Sequence, residues 1–187
     1  MNTTMVHLQW SEPDHMVSEL LVSLYPDMLM EASEDTYMLF RVDEDRIDLS
    51  FEDLYNLLVT DFQMRFTLLK LPEAASALLP LSLWRSIANT LKYGHYDLET
   101  ALIQASRHLP TLFEKLRETI SSLISKTDIT TVLALANANM NLSTAAKHLY
   151  IHRNTMIYRL DHVNRVTGID VKSFKGLFIM YSLYQVH

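Results

Sequence analysis

The stretch Ser143-Thr-Ala-Ala-Lys-His-Leu-Tyr-Ile-His-Arg-Asn-Thr-Met-Ile-Tyr-Arg-Leu160 decides how the rest of the chain is read. It predicts two helices around a tight turn. Ser143 is a good N-cap type, and Ala145, Ala146 and Leu149 then recur on one helical face. Tyr150 and Ile151 break that period. A second helix is expected from about Arg153, with Met156, Leu160 and Val163 at i, i+4 and i+7 turned to a core. Gly168 stands where a helix C-terminus wants a residue free to take positive φ. The paired alanines allow close helix approach, and Ile151 plugs the gap at the turn. Left outward on the second helix are His152, Arg153, Asn154, Thr155, Tyr158 and Arg159. That is a donor-rich face on a helix sized for the major groove. The pattern is a helix-turn-helix.

The run His152-Arg-Asn-Thr-Met-Ile-Tyr-Arg-Leu160, with Thr167-Gly168 after it, resembles the C-terminal DNA-binding domain of PucR/CdaR-type transcriptional regulators. Their motif is roughly tAxxLxxHRNTLxYRLxxIxxxTG. Asp128 to Asn141 is similar to the lead-in helix and Asn-rich turn of that domain. Ile169-Asp-Val171 and the helix to Tyr184 are similar to its end. Tyr150 occupies the turn position where Fis-like motifs in general carry Gly, and a bulky residue there fits the PucR subgroup better. Met156 replaces the usual Leu, a volume-conserving change. The residues before Asp128 carry no such resemblance.

The resemblance implies double-stranded DNA as partner, with an inverted-repeat operator and a homodimer to match it. Arg153, at the helix start, is placed to reach a guanine edge with two donors. His152 and Asn154 flank it and read bases or phosphates. Thr155 and Tyr158 bond backbone phosphate or touch a thymine methyl, with a place in the core as the rival role for Tyr158. Arg159, one turn on, contacts phosphate. The amides of Ser143 and Thr144 are candidates for another phosphate.

Length and composition agree. A chain of 187 residues holds one or two small domains. It has no cysteine, hence no disulfide or thiolate chemistry, consistent with a cytoplasmic location. No signal peptide is visible, and apolar runs such as Leu177 to Tyr181 are too short to cross a bilayer. Three glycines leave no Gly-rich loop for a nucleotide. The net charge of −6 is uneven: residues 1–127 carry 10 Lys/Arg against 19 Asp/Glu, whereas residues 128–187 carry 6 against 3, with four histidines. A locally basic face can bind phosphate while the acidic half stays away from the duplex.

In chain order, a helix is expected from about His15, with Met16, Leu20, Leu21, Leu24 and Met28 as its stripe and Pro26 ending or kinking it. Thr36–Val42 and Arg46–Leu49 predict a hairpin around the acidic turn at Asp43–Asp45. Ser50 caps a helix carrying Leu54, Leu57 and Leu58. Met64–Lys70 predicts a third strand closed by Pro72. Helices follow over Leu81–Tyr93 with Gly94 as stop, from Asp97, and from Pro110. The last carries the stripe Leu112, Leu116, Ile120, Leu123, which either packs on its own domain, the commoner case, or serves as a dimer element. Thr127 or Asp128 is the expected cap of the lead-in helix. The closing helix, Ser173–Tyr184, is apolar nearly all round, so part of it is expected against the N-terminal half or a second subunit. The predicted fold is therefore mostly α: an N-terminal helical α+β unit with a small sheet (residues 1–126), then a C-terminal helix-turn-helix DNA-binding domain (residues 127–187).

Other chemistry finds little footing. His148 and His152 share the i, i+4 spacing of zinc proteases, but Leu149 stands where their glutamate would be. No cofactor, metal site or catalytic set is expected. Two further readings fit the sequence: an interaction protein that keeps the fold without binding DNA, and a sensor whose N-terminal half holds a small-molecule effector of unidentified chemistry.

Overall fold

A computed structural model of the chain describes residues 3–10, 15–34, 37–43, 49–61, 63 and 65–185. The N-terminal half is built on strand β1, Thr3–Trp10. Helix α1 (His15–Leu24), strands β2 (Leu29–Glu34) and β3 (Tyr37–Asp43), helix α2 (Phe51–Asp61) and strand β4 (Phe66–Pro72) follow. The sheet order is β2-β3-β1-β4, with each neighbouring pair antiparallel. This is the ferredoxin-like β-α-β-β-α-β arrangement, in which each crossover skips one strand. Strand β5 (Gly94–Tyr96) extends the sheet parallel to β4.

Alternation along β1 divides two cores. Val6, Leu8 and Trp10 face α1 and α2, where Val17, Leu21, Leu54 and Leu58 are buried. On the other face Leu69 and Leu71 meet α3 (Glu73–Ser76), α4 (Leu81–Thr90) and α5 (Leu98–Ala105). His7 lies on this second face, 1% exposed, its Nδ1 2.8 Å from the Tyr37 hydroxyl and its Nε2 without a partner among the described residues. Burial pushes its pKa down to about 4.

The second core continues through α6 (Leu112–Leu123), α7 (Lys126–Asn137), α8 (Leu142–His148), α9 (Arg153–Thr167) and α10 (Phe174–Gln185). Apolar packing therefore runs unbroken across residue 126. Polar links reinforce it: the Asp170 amide donates to Glu99 at 3.0 Å and Lys175 Nζ to Asp97 at 3.0 Å. Gly168, at φ +71°, ends α9 against α3; a Cβ there would lie 2.9 Å from both the Cβ and the amide nitrogen of Ala75.

Several expectations need correction. No element is expected before His15, yet β1 is the sheet's central strand. The first helical stripe is shorter than its spacing suggests: α1 stops at Leu24, Met16 is 64% exposed, and Val17, Leu21 and Tyr25 are the buried residues. Of the expected hairpin, the first arm is β3, which pairs with β1 on one edge and β2 on the other. Residues 44–48, most of its other arm, lie outside the described residues. Helix α4 ends at Thr90, and Gly94 opens β5 instead of stopping the helix. The stripe of α6 packs on its own core through Leu112, Leu116 and Ile120, while Leu123 is exposed. Among the described residues no helix is long and apolar enough to cross a membrane.

Candidate nucleic-acid interface

Three helices frame the site. α7 begins with a capping box: Ser125, not Thr127 or Asp128, is the N-cap, and its Oγ accepts from the Asp128 amide while the Asp128 carboxylate accepts from the Ser125 amide. α8 is capped by Asn141, whose Oδ1 accepts from the Thr144 amide at 3.0 Å. Ser143 is therefore the second helical residue, exposed, and the Thr144 amide is already engaged. The turn into α9 is tight. The Leu149, Tyr150 and Ile151 amides return to carbonyls of α8, at Ala145, Lys147 and Ala146 respectively. Tyr150 takes φ +53° with its side chain 97% exposed, while Ile151 packs into the gap. Ala145 and Ala146 are buried, which lets α8 lie close to its neighbours.

α9 is fixed from beneath by buried Met156, Leu160, Val163 and Thr167. Its outer surface carries the residues expected there. His152, Arg153, Asn154 and Thr155 are exposed, and Tyr158 is 68% exposed, which rules out a core role for it. His152 is the N-cap: its Nδ1 accepts from the Asn154 amide at 3.2 Å. The neutral ring therefore carries its proton on Nε2, so it also offers an outward donor. Arg159 is half-buried, its guanidinium 3.5 Å from the Thr131 hydroxyl of α7.

The charges on this surface are unbalanced. Among the described residues, Lys126, Lys147, Arg153, Arg159 and Arg165 have no carboxylate within ion-pair distance. The lysines beyond α9 are neutralised: Lys175 by Asp97, and Lys172 by Asp161 at 2.6 Å. The bond to Asp161 raises the Lys172 pKa above its ordinary value. That pair also cancels the one carboxylate that α9 carries beyond Tyr158, which would otherwise repel phosphate. Arg165, absent from the expected set, is exposed seven residues after Tyr158 and so on the same flank; helical spacing alone was the signal for it. Lys147 on α8 is a second such cation.

Apolar surface lies elsewhere. Phe174, Phe178 and Tyr181 of α10 are exposed, the two phenyl rings stacked with centroids 6.5 Å apart, beside the C-terminal end of α7.

Comparison with known proteins bears on the same residues. The uncharacterized protein YxkF of Bacillus subtilis (strain 168) is 37% identical over 84 residues, 45% of this chain and 24% of that protein. The carbohydrate diacid regulator of Escherichia coli (strain K12) is 34% identical over 56 residues, 30% of this chain and 14% of that protein. The purine catabolism regulatory protein of Bacillus subtilis (strain 168) is 30% identical over 101 residues, 46% of this chain and 19% of that protein. Each match spans less than a quarter of the relative's length. The family model of the PucR C-terminal helix-turn-helix domain matches residues 129–184, the span from the first turn of α7 to the last of α10, so a domain of that type occupies this part of the chain.

Proposed function

We propose that the chain is a sequence-specific, DNA-binding transcriptional regulator of the cytoplasm, with α9 as its recognition helix. The observation that carries this is the α9 surface: exposed His152, Arg153, Asn154, Thr155 and Tyr158 above a buried apolar stripe, among cations that have no carboxylate partner among the described residues. In this reading Arg153 reaches a guanine edge, His152 and Asn154 read adjacent groups, and Thr155, Tyr158 and Arg159 hold backbone and base edges. Two of the relatives similar to this chain are named as regulators, which supports the same assignment.

Residues 1–126 serve as the regulatory and association half, and residues 127–187 as the DNA-binding unit. One small module has too little interface for tight specific binding. Two copies on an inverted repeat, with recognition helices about 34 Å apart, would supply it. The assay is binding of Arg153→Ala to a duplex selected from random sequence by the parent chain. Arg153 is exposed at the first position of α9, so the fold is spared. The expected loss is about 1–3 kcal/mol, confined to the selected duplex. Equal affinity of variant and parent for that duplex would overturn the role of Arg153.

A further inference from the structure

We propose that α7 is a second DNA-contacting element, and that Lys126 and Thr127 form with Arg159 a clamp for one backbone phosphate of the duplex. This rests on the DNA-binding reading above. Residues 126, 127, 130 and 131 fall within about 140° of arc on α7. They face the flank of α9 that carries Arg159. Between them lies a concavity of about 210 Å³ lined by Lys126, Thr127, Thr130, Thr131, Leu149 and Arg159.

Its donors suit a phosphodiester, which offers acceptors only. The hydroxyls of Thr130 and Thr131 donate to the carbonyls of Lys126 and Thr127 at 2.9 and 2.8 Å. Their oxygens are left to accept, and that of Thr131 faces the Arg159 guanidinium at 3.5 Å. Thr131 is thus a positioning residue, holding Arg159 by one edge while the remaining N–H groups stay free. The Lys126 ammonium and the Thr127 hydroxyl have no partner among the described residues. The nearest acidic group along the helix, Asp128, is turned away: it is 7% exposed, bonded to Ser125 at 2.7 and 3.0 Å, and 3.5 Å from His162. Two cations therefore face one cleft with no opposing carboxylate, beside the exposed face of α9.

The test is the salt dependence of binding, measured with the full chain on a selected and an unrelated duplex. Lys126→Gln is expected to flatten the slope of log K against log[salt] by about 0.9, with the same fold loss on both duplexes. Lys175→Gln, whose parent residue is paired with Asp97, is the control and should keep the parental slope. Thr131→Val should flatten the slope as Arg159→Ala does, provided its melting temperature matches the parent's. A Lys126→Gln slope equal to the parent's, with parental binding intact, overturns the clamp alone; failure of the parent to bind any duplex overturns both readings. Stabilisation of the parent by inorganic phosphate at constant ionic strength, lost in Lys126→Gln while the DNA slope is unchanged, would give the cleft to a free anion and overturn the proposal.

Discussion

Replacing Tyr150 by Gly should stabilise the protein, although it deletes the largest side chain at the helix-turn-helix corner. Tyr150 holds φ +53°, a left-handed conformation that crowds the Cβ of any L-residue. The cost is about 1–2 kcal/mol, which Gly does not incur. Against this, Gly loses roughly 0.5–1 kcal/mol more backbone entropy on folding. The side chain is 97% exposed, so its removal gives up almost no burial. The balance favours Gly by about 0.5–1 kcal/mol, or roughly 1–4 °C in melting temperature for a chain of this size. Tyr150→Ala keeps a Cβ and gains no relief, so it should stay within about 0.5 kcal/mol of the parent. Urea denaturation of the three proteins measures the differences directly. A loss of stability in Tyr150→Gly of more than about 0.5 kcal/mol would mean that the ring packs on something and that the left-handed backbone is not what limits stability here.

Two further perturbations probe the frame that holds the interface. Gly168→Ala puts a Cβ 2.9 Å from Ala75 at φ +71°, so a loss of about 2 kcal/mol or more is expected in denaturant melts. The acid response of His7 has a definite sign. Its pKa is near 4 in the folded chain against the ordinary histidine value of 6.5, so the unfolded chain binds the extra proton. Its contribution is complete above pH 6.5 and is lost as the pH falls from there to about 4, by up to about 3 kcal/mol. His7→Gln should remove that part of the acid sensitivity; an unchanged stability-against-pH curve would show that other groups cause it.

The C-terminal half was legible because its signals are local. Met156, Leu160 and Val163 repeat at helical spacing, and Gly168 sits at a helix end that needs positive φ. Helix caps were harder to place, since Asn141 and Ser143, or Ser125 and Thr127, are all competent cap types close together. Only hydrogen-bond geometry separates them. The sheet was less visible for a different reason. β1 is buried on both faces, with His7 as covered as Val6, so the polar-out alternation that marks a surface strand is absent. β2 follows α1 after a short turn, and its Leu29 and Met30 extend an apolar run that already reads as helical. The phosphate cleft joins α7 to α9 across the fold, and no spacing along the chain announces it. Arg165 was within reach of a helical wheel, since it repeats the flank of Tyr158.

The most direct measurement is an amide-shift map of the whole chain during titration with a duplex selected by binding. If α9 reads the duplex, the largest changes fall at His152–Arg159, a second group at Lys126–Thr131, and little at α1, β2 or the α10 aromatic strip. Changes concentrated away from α9, or none at saturating duplex, would contradict that reading.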